Sequence, residues 1–489
     1  MIRTRSLGAG AAVAAALALT LTHVPAAAAV DDPAGDGPEW GECPGGAERG
    51  VYCATLEVPL DHDDPDAGTI ELTLSITGRG DAPRTLVVNP GGPGARGIGT
   101  ERQVWSSLPP EVADVYNVVS FDPRGVGAST PLTCGESDTE PERPALPHQP
   151  GTAEQEAERL DAARRVAQAC GAEGAELLPH LTTENAARDL DLIRAELGRD
   201  QLDFLGYSYG TRLGTTYATL FPERTGRMVL DSVRDPWDSS WEVQFKQNDA
   251  FQRRAEQFFA WAAEHDETYG LGTDAAAVAA SWDATREELA AAPAGERAGS
   301  AELDDMLASA LYSDVSWPQL AGTVAAHRAG DSGRLLSAVD QLAEQGVPTA
   351  LLAYTCTDDA WPTDWETWRE ATEASAEDAP HFAWLNTWYS APCAFWEQPA
   401  GEPVEIGSVE LPPMLLLHAA DDPATPLAGA ERMREVLTDS RLVVVDSGNH
   451  GQFLYERNGC VDDHGFRYLL TGELPEADTT CEGGEPPTA

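Results

Sequence analysis

The sequence predicts an α/β fold, a mostly parallel doubly wound sheet with an inserted helical cap, on three observations. The first is a set of short apolar runs bounded by turn residues, at 86–89, 118–121, 203–206 and 228–231, and again at 414–417 and 442–445. Their apolar character is continuous rather than alternating, which is what strands covered by helices on both faces require. The second is the helical segments between them, such as 182–197, with Thr182 as N-cap, Leu190, Ile193 and Leu197 on one face and Gly198 as a stop. The third is a long interruption, 236–403, of helical composition without strand runs, as at 244–263 and 303–312. It reads as a cap inserted between two strands of one sheet.

Each remaining element follows from local pattern. Residues 54–58 and 69–76 alternate apolar and polar side chains, as an antiparallel edge does. Residues 1–29 carry Arg3 and Arg5, an apolar run from Leu7 to Leu21 and small residues from Ala26 to Ala29, the pattern of a secretory signal peptide. The expected organisation is therefore a signal peptide at 1–29, a core formed by 30–235 and 404–489, and a cap at 236–403. No later stretch is apolar for long enough to span a membrane. Segments 30–42, 136–156 and 482–489, rich in Pro, Gly and acids, read as mobile surface. Six tryptophans, Trp361, Trp365, Trp368, Trp384, Trp388 and Trp396, crowd the end of the cap, either as its core or as an aromatic wall over a cleft.

The 489 residues are 42% hydrophobic and 23% charged, enough apolar material for a large core. With 32 basic residues against 81 acidic ones the net charge is -49, which excludes binding to nucleic acid or anionic lipid by charge neutralisation. An acidic surface suits solubility, and also a substrate that carries an amine. The eight cysteines, Cys43, Cys53, Cys134, Cys170, Cys356, Cys393, Cys460 and Cys481, lack the paired spacing of a zinc site. In an exported chain they are read as disulfides, and because short loops close most readily the expected pairs are neighbours: 43 with 53, 134 with 170, 356 with 393, and 460 with 481.

The chemistry is concentrated after the strands. Gly206-Tyr207-Ser208-Tyr209-Gly210 lies between a strand and a helix, where a tight turn lifts a hydroxyl above the sheet at a helix N-terminus. Ser208 is the candidate nucleophile. A serine hydroxyl needs a base, and the base needs a carboxylate to orient it. Asp422 and His450 supply these, each just beyond a late strand, and Asp421 competes with Asp422 for the acid role. His418 is expected to be a packing or supporting residue. The loop Asn89-Pro90-Gly91-Gly92-Pro93-Gly94 offers the Gly92 N–H to a developing oxyanion, with the Tyr209 N–H as second donor. Asp122 and Arg124 are expected to fix a turn rather than to react. No metal or organic cofactor is implied, and the H-E-x-x-H metal pattern is absent. A carboxylate nucleophile, as dehalogenases and epoxide hydrolases need, is replaced by Ser208.

Residues 89–94, Asp122-Pro123-Arg124-Gly125-Val126-Gly127, 206–210, Asp422-Pro423-Ala424-Thr425-Pro426 and Gly448-Asn449-His450-Gly451 together resemble the secreted tripeptidyl aminopeptidases, a branch of the α/β-hydrolases related to proline iminopeptidases. The resemblance spans about 40–481. It implies a secreted serine protease acting as an aminopeptidase, releasing short peptides, tripeptides in the named family, from free N-termini beneath a helical lid. Ser232 and Ala419 depart from it, standing where relatives often carry Gly. The lid stretch Tyr354-Thr355-Cys356-Thr357-Asp358 suggests that Asp358, with Asp359, binds the substrate amine, the alternative being a solvated acidic loop beside a disulfide. A carboxylesterase of the same fold is the rival enzyme, and a non-catalytic binding protein the rival outside enzymes.

Overall fold

The computed structural model describes residues 37–46, 50–135, 143–344, 349–401 and 403–489. The signal-peptide segment 1–29 lies outside them, as does 136–142. Nine strands form one sheet: β1 (Tyr52–Pro59), β2 (Thr69–Thr77), β3 (Arg84–Asn89), β4 (Tyr116–Phe121), β5 (Leu202–Tyr207), β6 (Thr225–Asp231), β7 (Leu415–Ala419), β8 (Arg441–Val445) and β9 (Thr479–Cys481). Their order is β1-β2-β4-β3-β5-β6-β7-β8-β9. β1, β2 and β4 pair antiparallel at one edge, and every later pairing is parallel.

The continuous apolar runs have a direct cause. Val87, Val119, Phe204, Met228, Leu230 and Leu416 pack into one hydrophobic cluster, while their chain neighbours Leu86, Val88, Val118, Leu205, Val229 and Leu417 pack into another. Successive side chains point to opposite faces, so burial of both faces demands apolar residues at every position. Helix Thr183–Glu196 covers the first face and starts where the Thr182 hydroxyl accepts the Asn185 N–H.

Between β6 and β7 the described residues from Ser240 to Phe395 form helices only. The longest, Ser240–Glu264, opens with a capping box in which Ser239 and Glu242 bond reciprocally, an arrangement that stabilises a helix start by about 1 kcal/mol. This region has its own core of Phe251, Phe258, Phe259, Trp282, Trp317 and Leu307. The six late tryptophans belong to packing. Trp361, Trp365, Trp384 and Trp388 stack in a row through Trp368, which is fully buried, with centroid spacings of 5.0–6.0 Å.

Two stretches read as mobile surface are docked. Residues 143–148 lie on the cap, where Ala145 N–H donates to Glu302 and the Trp388 indole N–H donates to the His148 carbonyl. In the C-terminal stretch the Trp261 indole N–H donates to the Pro487 carbonyl at 2.9 Å. Proline- and acid-rich composition reports on local propensity alone and carries no sign of these distant partners. β9 is likewise absent from the sequence reading, because three residues are too few to show a period. The Cys460–Cys481 bond ties it to helix Gly459–Thr471. The other disulfides join Cys43 to Cys53, Cys134 to Cys170 and Cys356 to Cys393.

Candidate active site

Ser208 sits between β5 and helix Tyr209–Leu220 with φ 55° and ψ -121°, a conformation that non-glycine residues avoid at a cost of about 1–3 kcal/mol. The turn is held by the Ser208 N–H, which donates to the Asp231 carbonyl at 2.9 Å. Its glycines are sterically required. A Cβ on Gly206 would stand 2.4 Å from the Gly210 carbonyl oxygen, and one on Gly210 would stand 2.9 Å from the carbonyl oxygen of Asn89. The strain raises the hydroxyl above the strand ends, partly exposed.

His450 follows β8 and Asp422 follows β7. The His450 Nδ1–H donates to Asp422, with both carboxylate oxygens at 2.9 Å. Asp422 Oδ1 also accepts the N–H groups of Ala424 and Thr425. Burial pushes the Asp422 carboxyl up, but His450 and these donors outweigh it and bring it down to about 2. For His450, burial favours the neutral ring and Asp422 opposes it, leaving the pKa raised above 6.5. Asp421 is turned outward and accepts from Gln257 instead, so Asp422 is the carboxylate that meets the imidazole. Among the described residues no protein group hydrogen-bonds His450 Nε2 or the Ser208 hydroxyl, so a direct Ser208–His450 bond is not made here.

The acid loop is braced by His418, fully buried at the end of β7. Its Nδ1 accepts the Val233 N–H and its Nε2–H donates to the Thr425 carbonyl, which fixes one neutral tautomer. Burial lowers its pKa accordingly. The histidine loop is braced by Asp231, which the sequence reading did not single out, and by Ser232, noted there only as a departure from the family pattern. Asp231 accepts the N–H groups of Gln452 and Phe453, and Ser232 Oγ accepts the Gly451 N–H at 2.7 Å. Burial raises the Asp231 carboxyl to about 7. Local sequence carries no signal for Asp231, whose partners stand 221 and 222 positions away.

The glycine loop after β3 lies against the nucleophile turn. A Cβ on Gly91 would stand 2.9 Å from Ser208 Cβ and 2.7 Å from the Tyr207 carbonyl oxygen. Gly91 and Gly92 both have positive φ, 106° and 111°. Among the described residues no protein acceptor takes the N–H of Gly92 or Tyr209. Asp122 ties the continuation of this loop to its own turn by accepting the N–H groups of Gly97 and Ile98 on one side and Ala128 on the other. Arg124 is fully buried in a two-pronged pair with Asp189, both contacts 2.7 Å, and reaches no reactive group.

Asp358 and Asp359, expected to receive a substrate ammonium, both have protein partners. Asp358 accepts the Thr183 N–H at 2.7 Å and the Thr183 hydroxyl, which in turn accepts from the Tyr209 phenol. Asp359 accepts from Arg212 at 3.1 and 3.2 Å and from the Ser240 N–H. The two carboxylates are only 8% and 5% exposed. A cavity of about 70 Å³ touches Asp358, Thr183, Arg212 and Ile406, but neither Ser208 nor His450 lines it. Asp358 thus ties the cap to helix Thr183–Glu196 and Asp359 ties it to the nucleophile helix, contacts invisible in sequence because the partners stand 119 to 175 positions away.

A strained serine after the central strand, a carboxylate–imidazole pair after two later parallel strands and free backbone donors beside the serine define a hydrolase of the α/β type. The profile of the alpha/beta hydrolase fold matches residues 84–456. The chain is 35% identical over 476 residues to a tripeptidyl aminopeptidase of Streptomyces lividans, covering 93% of this chain and 88% of that protein. It is 30% identical over 479 residues to serine protease Hip1 of Mycobacterium tuberculosis, covering 91% and 90%. It is also 30% identical over 462 residues to carboxylesterase B of the same organism, covering 88% and 86%. The chain belongs to the tripeptidyl aminopeptidase family of α/β-hydrolases and is a serine hydrolase of the peptidase type.

Proposed function

We propose that this protein is an exported exopeptidase that releases short peptides, tripeptides by preference, from free N-termini through an acyl-enzyme. Ser208 Oγ attacks the scissile carbonyl while His450 Nε2 takes its proton. Asp422 holds the Nδ1–H and stabilises the imidazolium, and the Gly92 and Tyr209 N–H groups receive the oxyanion. The imidazolium then protonates the leaving amine, and water repeats the sequence on the ester. The observation that carries the mechanism is the 2.9 Å clasp of His450 by Asp422 beside the strained Ser208 turn.

Tripeptide release rests on likeness to the Streptomyces lividans enzyme. Four disulfides and the expected leader at 1–29 support export. The acidic surplus favours the approach of a protonated amine. A second reading, carboxylesterase, is favoured by the similarity to carboxylesterase B. The two separate in one assay of a free tripeptide anilide, its N-acetylated form and a butyrate ester. The proposed function requires the free-amine anilide to be cleaved fastest and acetylation to abolish cleavage. Turnover of the ester alone would establish the esterase instead.

A further inference from the structure

The cap helix Ser240–Glu264 reaches both loops that carry the candidate base and acid. Gln247 donates to the Ala424 carbonyl at 2.6 Å and Gln257 donates to Asp421, both in the acid loop. Arg254, between them on the same face, reaches the histidine loop. Its Nη2 donates to Asn449 Oδ1 at 2.7 Å, and Asn449 is the residue directly before His450. The Arg254 guanidinium lies over the Trp317 ring at 4.4 Å and fills the space beside Gly448, where a Cβ would fall 2.6 Å from its Cζ.

Asn449 is a junction with every amide site used. Its Oδ1 also accepts the Asp314 N–H, and its Nδ2 donates to Asp314 at 3.1 Å and to Glu456 at 2.8 Å. One residue on, the His450 N–H donates to the Tyr312 carbonyl at 2.8 Å, again in the cap. Both Arg254 and Asn449 are about nineteen-twentieths buried, at 5% and 4% exposure. The histidine loop is thus bonded from below by Asp231 and Ser232 of the sheet and from above by the cap.

We propose that Arg254 is a positioning residue for the reaction: through Asn449 it fixes the loop that presents His450, so that the cap and the sheet together set the alignment of the imidazole. The proposal rests on the reading of His450 as the base. A misplacement of about 1 Å at a reacting group can cost about 10²-fold in rate, so a loop held on one side only is a slower catalyst even when fully folded.

The test uses the full-length protein, with Arg254→Ala and Asn449→Ala compared with wild type. Active sites are counted with a fluorophosphonate, and turnover of a free tripeptide anilide is expressed per titrated site. The proposal predicts kcat per site lower by about 10- to 100-fold with KM within about twofold, and a double variant no worse than the worse single one. A purely structural role would instead reduce the number of titratable sites and leave each at wild-type turnover, which would overturn the proposal. Should Arg254→Ala give no titratable protein, Arg254→Met keeps an apolar stem beside Trp317 but donates nothing to Asn449, and wild-type turnover per site there would equally overturn it. His450→Ala separates the two readings. Retained turnover in that variant would remove the base assignment itself, whereas an inactive His450→Ala beside an unaffected Arg254→Ala would remove only the positioning role.

Discussion

Asp422 presents both carboxylate oxygens to Nδ1 of His450, each at 2.9 Å, from a turn whose own backbone N–H groups hold that carboxylate. The imidazole is thereby committed to one tautomer, with Nε2 free to take a proton. Burial opposes the imidazolium, Asp422 favours it, and the balance leaves the His450 pKa raised. Because the base must be neutral, activity falls as pH drops, and the acid limb of kcat/KM is expected above the ordinary 6.5. In Asp422→Asn the favourable charge is lost and the tautomer is no longer fixed. Its kcat should fall by about 10⁴-fold and any residual acid limb should move below that of wild type. A pH–rate profile of both proteins checks this, and coincident limbs would refute the account.

Gly91→Ala should be the harsher of two substitutions in the glycine loop. Its Cβ would press on Ser208 Cβ and on the Tyr207 carbonyl, neither of which can retreat without moving the nucleophile. Gly92→Ala crowds the backbone nitrogens of Gly94 and Ala95, 2.9 and 2.7 Å away, and tilts the candidate oxyanion donor. Loss of one such donor costs about 10²- to 10³-fold in kcat. Steady-state kinetics on a tripeptide anilide should give Gly92→Ala a loss in that range, with KM little changed.

Asp359→Asn removes the carboxylate that pairs with Arg212 and lies near Arg234, leaving Asp358 as the remaining counter-charge of two buried arginines. Breaking a buried pair of this kind costs about 3–5 kcal/mol. Arg212 and Ser240 outweigh the effect of burial and hold the Asp359 carboxyl down at about 2. Its stabilisation is therefore complete above the ordinary 3.8 and lost as pH falls toward 2. Denaturant titration at neutral pH should show the loss. The KM for free-amine peptides should stay at its wild-type value, and a large selective rise would instead assign Asp359 the amine-binding role.

The disulfides should differ in worth by loop length. The bond from Cys134 to Cys170 spans 36 positions and should contribute about 4 kcal/mol, against about 3 kcal/mol for Cys43–Cys53, which spans 10. Paired Cys→Ala variants compared by thermal unfolding would show that ranking, and equal losses would contradict the chain-entropy account.

The parallel strands were readable because burial on both faces leaves no polar position, as at Leu86, Val87 and Val88. The candidates Ser208, Asp422 and His450 were legible for a different reason: each stands within five residues of the end of such a strand, in a short turn-forming motif where local sequence and chemistry coincide. Asp231, Asn449 and Arg254 were not legible, because what defines them is a partner as far as 222 positions away rather than a neighbour. The partners of Asp358 and Asp359 were equally illegible. An acidic pair at the end of a cap helix suggested a ligand, while Thr183 and Arg212, which satisfy it, are distributed over the core.

The most direct test of the account is to react the protein with a fluorophosphonate, follow the loss of tripeptide-anilide turnover and locate the adduct by peptide mass spectrometry. The account predicts one adduct per chain, on Ser208, formed in step with the loss of turnover and absent from an inactive Ser208→Ala protein. An adduct on another residue that tracks the loss, or undiminished turnover in Ser208→Ala, would contradict it.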